Sequence, residues 1–99
     1  MRLTEDQIQS IRRIAADTAG PAATLRVFGS RLRDEAVGGD LDLLVELPQA
    51  VENPAALSAR LATRISRTLH GRRVDVVLLA PNLRRLPIHE IALAEGQPI

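Results

Sequence analysis

With 99 residues, 45% of them apolar, the chain can build one domain around a modest core. Thirteen basic side chains against twelve acidic ones leave a net charge of +1, and Phe28 is the single aromatic residue. Neither a basic footprint nor a stacking platform for bases is present, which makes nucleic acid an unexpected partner. The lack of cysteine excludes a disulfide framework and thiol chemistry. No apolar run reaches the length of a membrane span, and Met1 to Asp6 has no signal-peptide character. The expected setting is the cytoplasm, with no membrane partner.

In chain order, the first element is a helix. Thr4 and Gln7 have capping-box spacing, Ile8, Ile11 and Ile14 follow at helical intervals, and Gly20-Pro21 stops the run. Leu25 to Phe28 reads as a short strand that runs into Gly29-Ser30, and Arg31 to Ala36 as a short helix. Glycine allows backbone to approach a ligand closely. The free N–H groups opening that helix, with the Ser30 hydroxyl, would make an anion site, to which Arg31 and Arg33 add positive charge.

Gly38-Gly39 reads as a loop, and Asp40 to Leu47 as a strand. Side chains alternate across a strand, so Asp40, Asp42, Leu44 and Glu46 share one face. Leu41, Leu43, Val45 and Leu47 make the other wholly apolar. Alternation of this kind predicts a half-buried strand with its carboxylates toward solvent or a cleft. Asp40 and Asp42, side by side, can hold one divalent cation or bridge two.

Asn53-Pro54 is a cap and first-turn pair for a helix that stops at Gly71. Leu57, Leu61, Ile65 and Leu69 form its apolar stripe, with Arg60, Arg64 and Arg67 off the stripe. Such an arginine face is either a solvated surface or a docking surface for an acidic partner. Val74 to Leu79 is a strand by its β-branched content, and its lone charge, Asp75, is costly to bury unless it is paired or ligates a cation. If this strand neighbours the one carrying Asp40 and Asp42, Asp75 completes a three-carboxylate cluster. The rest, Pro81 to Ile99, is an apolar tail, helical in part after Pro87. His70 and His89 lie outside the carboxylate elements and are expected to be structural. No repeat or linker divides the chain, so residues 1–99 read as a single domain.

The fold class expected from these elements is α/β: a small mixed sheet with helices packed against it. Gly-Ser, Asp-x-Asp or a strand aspartate is each weak alone; their conjunction in this order is specific. The runs Phe28 to Arg33, Gly39 to Leu47 and Arg73 to Leu78 resemble the minimal nucleotidyltransferases (MNT type) of the DNA polymerase beta superfamily, over nearly the whole chain. Many members of that family carry glycine where Asp34 stands, serine where Gly39 stands, and a slightly longer loop before the aspartate pair. The resemblance implies the nucleotidyltransferase fold. It implies catalytic and metal-binding roles for Asp40, Asp42 and Asp75, with two Mg2+ ions as cofactor. It also implies ATP as substrate, gripped through Gly29 and Ser30 with Arg31 and Arg33 beside them. Proteins of this type pair with a helical HEPN-type toxin, so the resemblance further implies an antitoxin that forms an assembly with that toxin and transfers AMP to one of its tyrosines. Two alternatives remain: a nucleotidyltransferase whose small-molecule or nucleic-acid acceptor is bound by another chain, and a non-catalytic module that neutralises the toxin by binding alone.

Overall fold

The computed structural model describes residues 3–29 and 40–99. Helix α1 (Glu5–Ala19) begins at a complete capping box, with the Thr4 hydroxyl accepting from the Gln7 N–H and the Gln7 carboxamide accepting from the Thr4 N–H. It ends where Gly20 takes φ +104°. Strand β1 (Thr24–Phe28) follows, then β2 (Leu41–Glu46), α2 (Pro54–Thr68), β3 (Val74–Leu79), α3 (Pro87–Glu95) and β4 (Gln97–Pro98). The expected short helix at 31–36 lies outside the described residues.

The strands form one mixed sheet in the order β3-β2-β1-β4. β1 runs antiparallel to both β2 and β4, while β2 and β3 are parallel, joined by the α2 crossover. This is the small α/β sheet with packed helices that the sequence predicts.

The two faces of the sheet are covered unequally. On one lie α1 and α2, where Ile11, Ile14, Leu61 and Ile65 pack on Leu25, Val27, Leu41, Leu43, Val45 and Leu47. The apolar face expected of the 40–47 strand is therefore the floor of the main core, with Leu41, Leu43 and Val45 wholly buried. Burying a leucine of this kind contributes about 1.5–3 kcal/mol. Arg64 bonds Asp17 (2.7 Å) and the Thr18 hydroxyl, clasping α2 to α1. It is thus part of the helix–helix contact, unlike Arg60 and Arg67, which are exposed.

Among the described residues the other face carries only α3, whose Ala92 packs on Phe28, Leu44 and Leu79. The sequence placed Leu44 on a face open to solvent or a cleft; it is wholly buried, because α3 folds back over the middle of that face. His89 is buried as well. Its Nδ1 accepts from the Leu86 N–H at 2.8 Å and its Nε2 lies 2.8 Å from the Leu78 carbonyl. With Nδ1 an acceptor, the proton sits on Nε2 and the imidazole is neutral, a cross-link between α3 and β3. His70 is exposed, with φ +60°, in the turn after α2.

Several element boundaries differ from the sequence reading, and β1 begins one residue earlier, at Thr24. The second helix ends at Thr68, with Leu69 as its cap, three residues before Gly71. Asp40 stands just outside β2, although pairing with β3 extends past the strand's far end through Leu47 N–H to the Leu79 carbonyl (2.8 Å). Strand β4 was not expected. Gly96 admits it, because a Cβ there would strike the Ala92 carbonyl and approach Arg26 Cβ to 3.1 Å. The chain can therefore turn off α3 directly onto β1, and Pro98, lacking an N–H, is tolerated because β4 is an edge strand.

Candidate active site

The carboxylates gather at one end of the α3 face. β1 ends there while β2 and β3 begin there, so Phe28 is the Cα partner of Asp42, and Asp42 of Asp75. Partners in a parallel pair project to the same face. Asp42 and Asp75 are thus immediate neighbours, and Asp40, two residues before Asp42, lies one step further out. The condition set by the sequence, that the two aspartate-bearing strands be neighbours, holds, with Asp42 and Asp75 in register.

Exposure is graded across this group. Asp40 is exposed, Asp42 half-buried, and Asp75 has 44% of its side chain accessible. Burial beside Phe28 raises the Asp42 carboxyl above its ordinary value, and the charges of Asp75 and then Asp40 raise it further, against a smaller opposing effect of Arg73. Among the described residues Arg73 offsets this concentration of negative charge only in part.

Gly29 explains how Asp42 fits. It has φ +77°, in the left-handed region, and a Cβ at this position would collide with Asp42 Oδ2 and stand 3.1 Å from its Cγ. The glycine is required both by its backbone angle and by the carboxylate that occupies the space of its missing side chain. Ser30, Arg31 and Arg33, expected to bind phosphate, lie outside the described residues.

Asp75 is not a bare acid in an apolar strand. Its Oδ1 accepts from Arg73 Nε at 3.3 Å. Arg73 precedes β3 by one residue and Asp75 by two, so period-two alternation puts both on the same face. That signal was present in Arg73-Val74-Asp75, yet reading the aspartate alone passes over its partner. Among the described residues no three carboxylates or imidazoles stand close enough together to hold a metal ion. The donor chemistry nevertheless fits a hard divalent cation: two adjacent carboxylates and a third within electrostatic reach, all oxygen donors. A cleft between α1, β1 and β4, lined by Arg12, Arg13 and Thr24, contains none of these residues.

Residues 8–97 match the family model described as nucleotidyltransferase domain. The chain belongs to that family. It is thereby placed in the DNA polymerase beta superfamily, and its general activity is nucleotidyl transfer. No curated protein and no solved structure matches the chain. Among the described residues no helix is long and apolar enough to cross a membrane.

Proposed function

We propose that the protein is a minimal nucleotidyltransferase of the MNT type, an Mg2+-dependent enzyme that transfers AMP from ATP to a tyrosine hydroxyl of a helical HEPN-type toxin and so acts as its antitoxin. The observation that carries the nucleotidyl-transfer part is the register of Asp42 with Asp75 on neighbouring parallel strands, with Asp40 alongside and Gly29 packed against Asp42. In this reading Asp40 and Asp42 hold the cations, and Asp75 binds on the side of the acceptor. Bound Mg2+ supplies charge neutralisation on the attacking and leaving oxygens of the phosphoryl group, the role of paired ions in this chemistry. Asp75 orients the acceptor hydroxyl and receives its proton. The tyrosine oxygen bonds to the α-phosphorus, the bond from the α-phosphorus to the bridging oxygen breaks, and pyrophosphate leaves. The Gly29-Ser30 turn, with Arg31 and Arg33, holds the β- and γ-phosphates.

A protein acceptor is supported by α3. Leu86 at the N-cap of α3 and Ile88 and Ile91 within it are 45%, 39% and 47% exposed, and α3 packs on the sheet face that carries the carboxylates. Exposed apolar side chains of this kind suit a docking partner. Incubating the co-purified toxin with labelled ATP and Mg2+ tests the proposal by mass spectrometry. Wild type should add one adenylyl group to a toxin tyrosine, and Asp75→Asn should add none. Equal neutralisation of the toxin by both proteins, with no mass change, would make this a binding module. Label appearing on a small molecule or nucleic acid would assign a different acceptor.

A further inference from the structure

We propose that the Arg73 guanidinium is a built-in placeholder for the divalent cation at Asp75, so that loading the site exchanges one ion pair for another and Arg73 sets the metal affinity. This rests on the carboxylate reading above. Two observations carry it. Arg73 Nε bonds Asp75 Oδ1 at 3.3 Å, occupying one of the two oxygens that this carboxylate could offer an ion. Asp42 and Asp75 are register partners on one face, so an ion shared between them draws on the same carboxylate that Arg73 holds.

The exchange is energetically feasible because the pair is weak. Arg73 has 73% of its side chain accessible, and exposed ion pairs of this kind are screened by water and salt. A divalent ion bound by two or three carboxylates outcompetes one exposed guanidinium. The displaced side chain swings into solvent at the rim, since among the described strands β3 is at the edge of the sheet. Arg73 is therefore a positioning residue, acting through Asp75.

Mn2+ binding, followed by the loss of the free-ion electron paramagnetic resonance signal at low ionic strength, tests this without any turnover. Arg73→Gln should tighten Mn2+ binding by about three- to fivefold, the ceiling for an exposed ion pair. Arg73→Lys should remain near wild type. In an Asp75→Asn background the same Arg73→Gln change should have less than half its effect, because the placeholder has lost its partner. Circular dichroism checks that each variant is folded. Unchanged or weaker Mn2+ binding in Arg73→Gln overturns the proposal, as does an equal gain with and without Asp75, which would make Arg73 a general charge. If neither wild type nor Arg73→Gln binds Mn2+, the carboxylate site itself is wrong, a failure distinct from binding that is present but unshifted.

Discussion

The two faces of β2 show how one six-residue strand serves stability and chemistry at once. Toward α1 and α2 it presents Leu41, Leu43 and Val45, all wholly buried in an uncharged layer. Toward α3 it presents Asp42, Leu44 and Glu46, and only Leu44 is fully covered. Among the described residues the first face is closed by two helices of fifteen residues each, the second by one helix of nine. On that second face Asp42 and Asp75, at the sheet end where β2 and β3 begin, are half-buried. There, charge that would be intolerable in the main core is held half in water. The repulsion stored among Asp40, Asp42 and Asp75 is sustained by a core on the far side of the same backbone.

Adjacent residues should therefore fail in opposite ways. Asp42→Asn should lower transfer by about a thousandfold or more, the scale on which losing a preorganised charge contact acts, while leaving the far-UV circular dichroism spectrum unchanged. Leu43→Ala should leave the carboxylates in place yet cost about 3 kcal/mol in denaturant unfolding, the range for emptying a wholly buried leucine site. Retained activity in Asp42→Asn would break the division of labour between the faces. So would a Leu43→Ala protein as stable as wild type.

Gly29→Ala falls between these two and sharpens the comparison, since it belongs to neither core yet touches the reactive face. An alanine at φ +77° costs about 1–2 kcal/mol of backbone strain. Its methyl group would also displace the Asp42 carboxylate. The expected result is moderate loss of stability with a disproportionate loss of Mn2+ affinity. If the second effect is absent, Asp42 can rotate away without consequence and Gly29 serves only the turn.

Much of this organisation is legible in the chain. The period-two alternation of 40–47 predicts the buried face side chain by side chain, and the Thr4/Gln7 and Asn53 caps are observed as hydrogen bonds. Strand adjacency of Asp42 and Asp75 follows from family resemblance more than from any local pattern. What escaped the sequence depends on contacts distant in the chain. Strand β4 is two residues with a proline, too short to carry a period, and exists because Gly96 lets the chain fall beside β1. Leu44 is buried by a helix more than forty residues away, and the arginine face is broken by Arg64 reaching Asp17. Asn82 illustrates the same limit: its carboxamide bonds both the N–H and the carbonyl of Val51, at 2.9 and 2.8 Å, pinning the loop between β2 and α2. A lone asparagine after a proline reads as a turn.

The smallest expected effect separates the faces by pH. The Asp42 carboxyl is raised in the folded state, by burial first and by Asp75 and Asp40 next. Between the ordinary aspartate value of about 3.9 and the raised one, the folded protein holds more protons at this residue than the unfolded chain. Stability therefore falls as pH rises through that window, and the penalty is complete at neutral pH. Asp42→Asn removes the ionisable group while keeping its shape. In chelator at pH 7 the variant should melt slightly above wild type, by far less than Leu43→Ala lowers it, and the difference should shrink as pH falls and vanish about one unit below the ordinary aspartate value, where the carboxyl is protonated in both states. Saturating Mg2+ should reverse the order, because an ion bound by the folded state stabilises wild type by mass action. Differential scanning calorimetry across pH, with and without Mg2+, measures both signs. A wild type that melts above Asp42→Asn in chelator at neutral pH would mean that the carboxylate is already compensated within the chain. The tension between the stable and the reactive face of β2 would then be absent.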